Sequence, residues 1–130
     1  MSVGLTASHR LRLSQAAAHY GGNLVAGGHL LELFGDVATE LCVLSDGDEG
    51  LLAGYSSVSF AAPAYAGDFI EVVGEIIRVG NTSREMQFRV FRYARQRPEV
   101  SDSAAEVLEE PELLAEATGT CVVKKTRGDA

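Results

Sequence analysis

The sequence is short of the residues that build disulfides and metal sites. Its 130 residues include only two cysteines, three prolines and three histidines, and no tryptophan. Cys42 and Cys121 lie far apart and match no metal-binding spacing, and the histidines are scattered, so no metal site is expected. Two thiols in a chain without a recognisable export signal suggest a reducing compartment, where each cysteine serves as a small core residue.

The sequence also lacks a basic excess and a long apolar run. Lysine and arginine number 11 against 18 aspartates and glutamates, so the net charge is −7 with histidine neutral. No global positive field favours nucleic acid or an anionic membrane as a partner. Neither a secretory leader nor a bilayer-spanning stretch is recognisable. We therefore expect a soluble cytoplasmic protein with a single domain over residues 1–130.

What the chain does contain is a glycine-rich segment followed by one long helical pattern, between Ala18 and Leu41. Four glycines here allow positive φ values or close approach of a ligand: Gly21, Gly22, Gly27 and Gly28. After them, apolar residues recur every three or four positions, which predicts an amphipathic helix that ends in the turn at 45–50. Its apolar face contains Leu30, Leu33, Phe34, Val37, Ala38 and Leu41.

A polar stripe runs along the opposite face of this helix. It contains His29, Glu32, Asp36 and Glu40. Asp36 and Glu40 are four residues apart, so their carboxyl groups point to the same side. From geometry alone two interpretations stay open: a solvated face, which is the usual role of such a stripe, or a site built on two carboxylates.

Five further segments have the alternation or the β-branched composition of strands. They are residues 3–13, 51–62, 68–79, 84–93 and 115–125. The alternation places Val3 of the first segment, and Val58 and Phe60 of the second, on the inward side. Residues 80–83 have the composition of a hairpin turn between the third and fourth segments.

The acidic segment 98–114 lacks apolar periodicity and contains two prolines. We interpret it as a surface loop with a short helix over residues 104–110. Residues 126–130 are expected to fray.

This order of elements predicts an α+β fold. Strands joined by hairpins form an antiparallel sheet, and the one long helix must lay its apolar face on that sheet. We expect a curved antiparallel sheet of about five strands wrapped around one long central helix. The edges of such a sheet would remain unpaired. Edge-to-edge pairing in a two-fold homodimer would cover an edge and the polar stripe.

Several motifs resemble one family over roughly residues 5–125. The element order, a Pro-x-x-x-Gly-Asp turn at 63–68 and Val-Gly-Asn-Thr-Ser at 79–83 resemble the hotdog fold of acyl-CoA thioesterases and hydratases. Two more specific motifs are His-Tyr-Gly-Gly-Asn at 19–23 and Gly-Asp-Val-Ala-Thr-Glu-Leu at 35–41. Both resemble the hotdog ammonia lyases that act on β-amino acyl-CoA thioesters.

The resemblance implies an enzyme of amino-acid fermentation that reversibly eliminates ammonia from a 3-aminoacyl-CoA. The substrate would be 3-aminobutyryl-CoA or β-alanyl-CoA, and the product crotonyl-CoA or acryloyl-CoA. Loss of the α-proton requires a general base and stabilisation of the enolate oxygen. Glu40 is expected as the base and Asp36 as the group that holds the amine, with the reverse assignment open. The thioester carbonyl is expected at the helix N-terminus, where Gly27 and Gly28 expose backbone N–H groups.

The resemblance also places His19, Tyr20 and Asn23 in the acyl pocket, although each could have a purely structural role in the loop. No cofactor is expected, because coenzyme A is part of the substrate.

The phosphates of coenzyme A need basic groups in an otherwise acidic protein. Arg84, Arg89 and Arg92 are the candidates, against the alternative that they decorate the outer face of the sheet. The expected partners are an acyl-CoA, ammonia and a second copy of the chain. Three other functions stay open: a hotdog acyl-CoA thioesterase, an enoyl-CoA hydratase and a non-catalytic acyl-CoA-binding module.

Overall fold

One long helix, α1, spans Gly27–Asp46 in the computed structural model, which describes residues 2–124. The helix ends because Gly47 adopts the left-handed conformation, with φ of 65°, and its N–H donates to the Val43 carbonyl. Its buried side chains are Leu30, Phe34, Val37, Ala38, Leu41 and Cys42. The predicted apolar face is therefore confirmed, with Leu33 partly buried beside it.

The strands are numbered along the chain. They are β1 (Thr6–Arg12), β2 (Ala18–Tyr20), β3 (Leu24–Val25), β4 (Leu51–Phe60), β5 (Phe69–Val79), β6 (Ser83–Gln96) and β7 (Ala105–Val122). Five of them form one antiparallel sheet in the order β1-β5-β6-β7-β4, so β1 and β4 are its edges. The two short strands β2 and β3 pair with each other beside the start of α1. The expected fold, one long helix against a curved five-stranded antiparallel sheet, is confirmed.

The helix packs on the centre of the sheet through close-fitting contacts. The rings of Phe34 on α1 and Phe88 on β6 stack with their centroids 5.3 Å apart. At Gly74 of β5, an added Cβ would lie 2.7 Å from Cγ1 of Val37, so a side chain there would push the helix away. This glycine sets how closely the sheet approaches α1.

The interpretation of residues 98–114 as a loop with a short helix is wrong. Residues 105–113 form the first half of β7 and pair with the end of β6, and only the connection around residues 97–104 is a turn. Pro111 is accommodated because it lies where the register shifts, between the pairs Arg92↔Glu112 and Ala94↔Val107. A proline cannot donate to a ladder, but an irregular position does not require it to.

Val58 and Phe60 of β4 lie opposite the buried Ala117 and Ala115 of β7, so they face the helix side of the sheet as expected. They are nevertheless 40% and 55% exposed, because β4 is an edge strand. The register of β4 against β7 shifts twice, after Leu52 and after Tyr55, which breaks the simple alternation. Leu52 and Tyr55, on the same face of β4, are better covered and pack against the core. Val3, which precedes β1, is exposed as well.

None of the helices within residues 2–124 is long and apolar enough to cross a membrane. The expected fraying of residues 126–130 lies outside the described residues.

Candidate active site

The N-terminus of α1 is left open to a ligand. The N-cap residue is Ala26, which offers no side-chain cap, and the first turn contains no acidic residue. The leading backbone N–H groups therefore have no partner from a capping side chain. A Cβ added at Gly28 would meet no atom within 4 Å, so an external group can approach the backbone there.

Gly27 has a different role from Gly28. A Cβ at Gly27 would lie 2.6 Å from Cε1 and Cζ of Phe60, so the glycine lets the exposed Phe60 ring lie against the start of the helix. These two residues form part of the wall of a cavity of about 510 Å³, together with Tyr20, Leu30 and Pro63. The structure thus brings Tyr20 and Gly27, two of the expected substrate-binding residues, to one mostly apolar cavity.

His19 and Asn23 lie on either side of this region. His19 is exposed, and its ring packs edge-on against Tyr20 with the centroids 4.6 Å apart. Asn23 has φ of 63° and lines a second cavity of about 260 Å³, together with Tyr65 and Arg92. The Asn23 carbonyl accepts the N–H of Ala66, so the backbone of this residue also holds the loop in place.

The two candidate catalytic carboxylates lie further along the helix. Asp36 is exposed and Glu40 is partly exposed, and both face away from the buried face of α1. At a rise of 1.5 Å per residue, Asp36 lies about 12 Å and Glu40 about 18 Å along the helix axis from Gly28. One subunit therefore does not bring the carboxylates and the open helix N-terminus around a single substrate carbon.

One of these carboxylates makes a contact that was not predicted from the sequence. Nε2 of His9, on β1, lies 2.7 Å from Oε1 of Glu40. The signal was present in the sequence, because His9 is the polar residue among the helix-facing positions of β1. Its neighbours on that side, Leu5, Ala7, Leu11 and Leu13, are partly or fully buried.

Two of the three arginines expected to bind coenzyme A phosphates are already engaged inside the subunit. Arg84 donates to the Asp46 carboxylate and to two carbonyls, and Arg92 donates to Asp68 at 2.8 Å, to the Pro63 carbonyl and to Glu112. Burial opposes the charge of Arg92, but its hydrogen bonds to Asp68 and Glu112 outweigh burial and raise the pKa of the guanidinium. Neither arginine is available for a phosphate.

Arg89 remains available, because it is exposed and its nearest carboxylate, that of Glu116, is 3.5 Å away. The arginines of β6 and the acids of β7 face each other across the ladder, as Arg89↔Glu116, Arg92↔Glu112 and Arg95↔Glu106. Such cross-strand pairs of opposite charge favour strand pairing.

The two cysteines are both buried and unpaired by a disulfide, as expected of small core residues. Within residues 2–124, no group of three histidine, cysteine, aspartate or glutamate side chains could hold a metal ion.

Residues 17–98 match the family model of the thioesterase superfamily. The chain is 52% identical over 118 residues to the 3-aminobutyryl-CoA ammonia lyase of Acetoanaerobium sticklandii. The aligned region covers 91% of this chain and 94% of that protein. The structure of β-alanyl-CoA:ammonia lyase from Clostridium propionicum superposes with a TM-score of 0.90 at 41% identity, over 95% of this chain and 87% of that one. A hexameric hotdog-fold thioesterase of Campylobacter jejuni is similar in fold alone, with a TM-score of 0.73 at 17% identity over 90% of this chain and 81% of that one.

Proposed function

The chain belongs to the thioesterase superfamily of hotdog-fold proteins, and we propose that it is an ammonia lyase that acts on a 3-aminoacyl-CoA. Two similar proteins, at 52% and 41% identity over nearly the whole chain, are named as lyases of this kind. The structural observation that carries the proposal is the pair of carboxylates, Asp36 and Glu40, one turn apart on the face of α1 turned away from the core. A binding module would need no such pair.

The reaction breaks the Cα–H bond and the C3–N bond and forms the double bond of the 2-enoyl-CoA. Glu40 takes the α-proton, while Asp36 holds the ammonium group until it leaves as ammonia. The electron pair of the broken C–H bond is first held in an enolate. It then forms the double bond as the C3–N bond breaks and ammonia leaves. The assignment of the two carboxylates follows their expected roles, and the exchanged assignment predicts the opposite kinetic pattern.

The enolate oxygen needs donors that are in place before charge develops on it. We assign this role to the N–H groups at the start of α1, with the thioester carbonyl above Gly28. The adjoining cavity takes the chain next to the carbonyl, with Tyr20 in its wall and His19 beside it, and Asn23 holds the loop that borders the cavity. Arg89 is the remaining candidate for a phosphate of coenzyme A.

The distances along α1 support a site shared by two subunits. A general base must lie within about 3 Å of the proton that it removes, whereas Glu40 lies about 18 Å along the helix from Gly28. A two-fold dimer places the carboxylates of one subunit against the helix N-terminus of its partner. The β4 edge supports this arrangement with exposed apolar side chains, among them Leu51, Val58 and Phe60.

Such a homodimer, alone or within a larger assembly of dimers, would bury well over about 1,000 Å² in total. A fully active monomer in the analytical ultracentrifuge would contradict it. We further assign the enzyme to the cytoplasm and to amino-acid fermentation, as its resemblance implies.

The deciding experiment follows the absorbance of crotonyl-CoA and of acryloyl-CoA with and without ammonium. Loss of enoyl absorbance that depends on ammonium supports the lyase, and the faster of the two substrates identifies the preferred acyl group. Loss without ammonium indicates a hydratase, and release of free thiol indicates a thioesterase. Binding of the thioester without either reaction indicates a binding module.

A further inference from the structure

The contact between His9 and Glu40 joins a strand at the edge of the sheet to the polar stripe of the central helix. His9 occupies a helix-facing position of β1, where Leu5, Ala7 and Leu11 pack against the core. An apolar residue at this position would continue the alternation of β1. Instead an imidazole stands there, partly exposed, with Nε2 at 2.7 Å from Oε1 of Glu40.

The chemistry of the two groups assigns donor and acceptor. An ionised carboxylate can only accept hydrogen bonds, so Nε2 of His9 carries the hydrogen and donates it to Oε1. A distance of 2.7 Å is at the short end of the range for hydrogen bonds to charged groups. Within residues 2–124, no side chain donates a hydrogen bond to Oε2 of Glu40, so its lone pairs can accept one from another group.

A glutamate on an exposed helix face would otherwise sample several rotamers. The hydrogen bond from a rigid strand restricts Glu40 to the rotamers that keep Oε1 on His9, and thereby fixes the direction of Oε2. The carboxylate of Asp36, one turn earlier on the helix, forms no side-chain hydrogen bond within residues 2–124, unlike that of Glu40. The two carboxylates of the stripe are therefore held differently.

We propose that His9 is the positioning residue of Glu40: it aims Oε2 at the α-carbon of the bound thioester. The proposal rests on the proposed function, since it needs Glu40 to remove the α-proton. His9 itself does not touch the substrate. Its effect should appear in the proton-transfer step and not in substrate binding, which separates positioning from a simple tether between β1 and α1.

Three substitutions of His9 distinguish these roles. His9→Gln places an amide N–H near the position of Nε2, whereas His9→Asn places its amide near Nδ1, short of Glu40, and His9→Leu removes the donor. We expect kcat and the exchange of the α-proton with solvent deuterium to fall together by up to about 100-fold in the Leu and Asn variants, with little change in KM. The Gln variant should recover most of both rates.

Two controls accompany these variants. Arg10→Leu removes a charge from the next residue of β1, on the opposite side of the strand, where its guanidinium lies 4.6 Å from the Tyr93 ring centroid. It should leave exchange unchanged. The double variant His9→Leu with Glu40→Gln should be no slower than Glu40→Gln alone, because His9 acts through Glu40. A multiplicative loss, or wild-type exchange in a folded His9→Leu variant, would overturn the proposal.

A measurement without turnover separates this proposal from the proposed function. The ¹⁵N spectrum of the imidazoles should show His9 held as the Nε2–H tautomer in the wild-type protein and as a mixture in Glu40→Leu. A mixture already in the wild type overturns the positioning role. If the fixed tautomer is found and the wild type exchanges the α-proton, but neither releases ammonia from the aminoacyl-CoA nor adds it to the enoyl-CoA, the lyase assignment fails and the positioning role stands. Absence of exchange in the wild type overturns both.

Discussion

The guanidinium of Arg84 forms two hydrogen bonds to the carboxylate of Asp46: Nε donates to Oδ2 at 2.9 Å and Nη2 to Oδ1 at 2.8 Å. Nη1 donates to the carbonyls of Gly80 and Ser83. Asp46 is the last residue of α1, where the helix dipole disfavours a negative charge. Arg84 compensates that charge and fastens the end of the helix to the hairpin between β5 and β6.

Arg84→Met should therefore lower the free energy of unfolding by about 3 kcal/mol, because it leaves a largely buried carboxylate without its partner. Urea unfolding measures this loss. Arg89→Met on the same strand is the matched control, since Arg89 is exposed and only 3.5 Å from Glu116, and it should cost less than about 1 kcal/mol. Equal losses in the two variants would contradict the importance of the Asp46 pair.

The same pair predicts a dependence of stability on pH. The hydrogen bonds from Arg84 hold the pKa of Asp46 below its ordinary value, although burial opposes the shift. A carboxyl whose pKa is lower when folded contributes stability above its unfolded pKa, near pH 4, and loses it as the pH falls through the folded pKa. The gap in unfolding free energy between wild type and Asp46→Asn should stay constant above about pH 5 and narrow below pH 4. A gap that widens in acid would refute this account.

The helix could be predicted because its signals are local. Apolar residues repeat with the period of an α-helix from Leu30 to Leu41, and Gly47 supplies the left-handed residue that ends it. The central strand β6 was equally readable, because Met86, Phe88 and Val90 alternate with polar residues and are all fully buried. In each case one short segment contains the information that its conformation needs.

The first half of β7 could not be predicted as a strand from its own sequence, because this acidic segment has no regular alternation of apolar and polar residues. Its conformation depends on partners between 9 and 20 residues away: Glu106 pairs with Arg95 and Arg97, and Glu112 with Arg92. Taken separately, the arginines suggested a phosphate site and the acids suggested a loop. The basic residues of β6 and the acidic residues of β7 lie opposite each other in the antiparallel register, so the position of each set is explained by the other set. This pairing cannot be recognised from either segment alone.

Residues 105–114 belong to strand β7 and not to the expected loop, so a substitution of a buried residue there should destabilise the protein. Leu114 is fully buried, and its carbonyl accepts the N–H groups of Ala61 and Ala62. Leu114→Ala should cost about 3 kcal/mol in unfolding free energy through loss of packing and creation of a cavity. Val107→Ala, in the same strand but 80% exposed, should change it by less than about 0.5 kcal/mol. Chemical denaturation of both variants tests the difference.

The two carboxylates of the polar stripe should behave as one functional unit. Asp36→Asn and Glu40→Gln keep the shape of each side chain, and each should lower turnover by about 10² to 10⁴ while the fold survives. The combined variant should lose less than the product of the two effects. Glu32→Gln is the control, because Glu32 is on the same face and 77% exposed in its side chain, and it should keep wild-type turnover.

Deuterium exchange at the α-carbon separates the roles of the two carboxylates. Glu40→Gln should abolish exchange, and Asp36→Asn should retain some exchange while ammonia loss stops. The opposite pattern would exchange the two assignments. Wild-type turnover in both variants would remove these carboxylates from the mechanism.

Gly28→Ala should separate stability from activity. Open space surrounds the position of an added Cβ, and alanine favours the helix more than glycine does, so the unfolding free energy should stay constant or rise by up to about 1 kcal/mol. The methyl group would nevertheless obstruct the path of the thioester carbonyl to the helix N-terminus. We expect kcat/KM to fall by up to about 100-fold. Unchanged kinetics would place the carbonyl elsewhere.

The two edges of the sheet differ in a way that bears on how copies of this chain can polymerise. Strand β4 has no charged residue over Leu51–Phe60, whereas β1 carries Arg10 and Arg12. Basic side chains on an edge strand discourage pairing with another strand, so we expect only the β4 edge of each copy to pair with a second copy. If both edges could pair with other copies, the sheet could grow without limit into a fibre. If only the β4 edge pairs, growth along the sheet stops after one partner has been added, so the proposed dimer would form its shared site without the hazard of a filament.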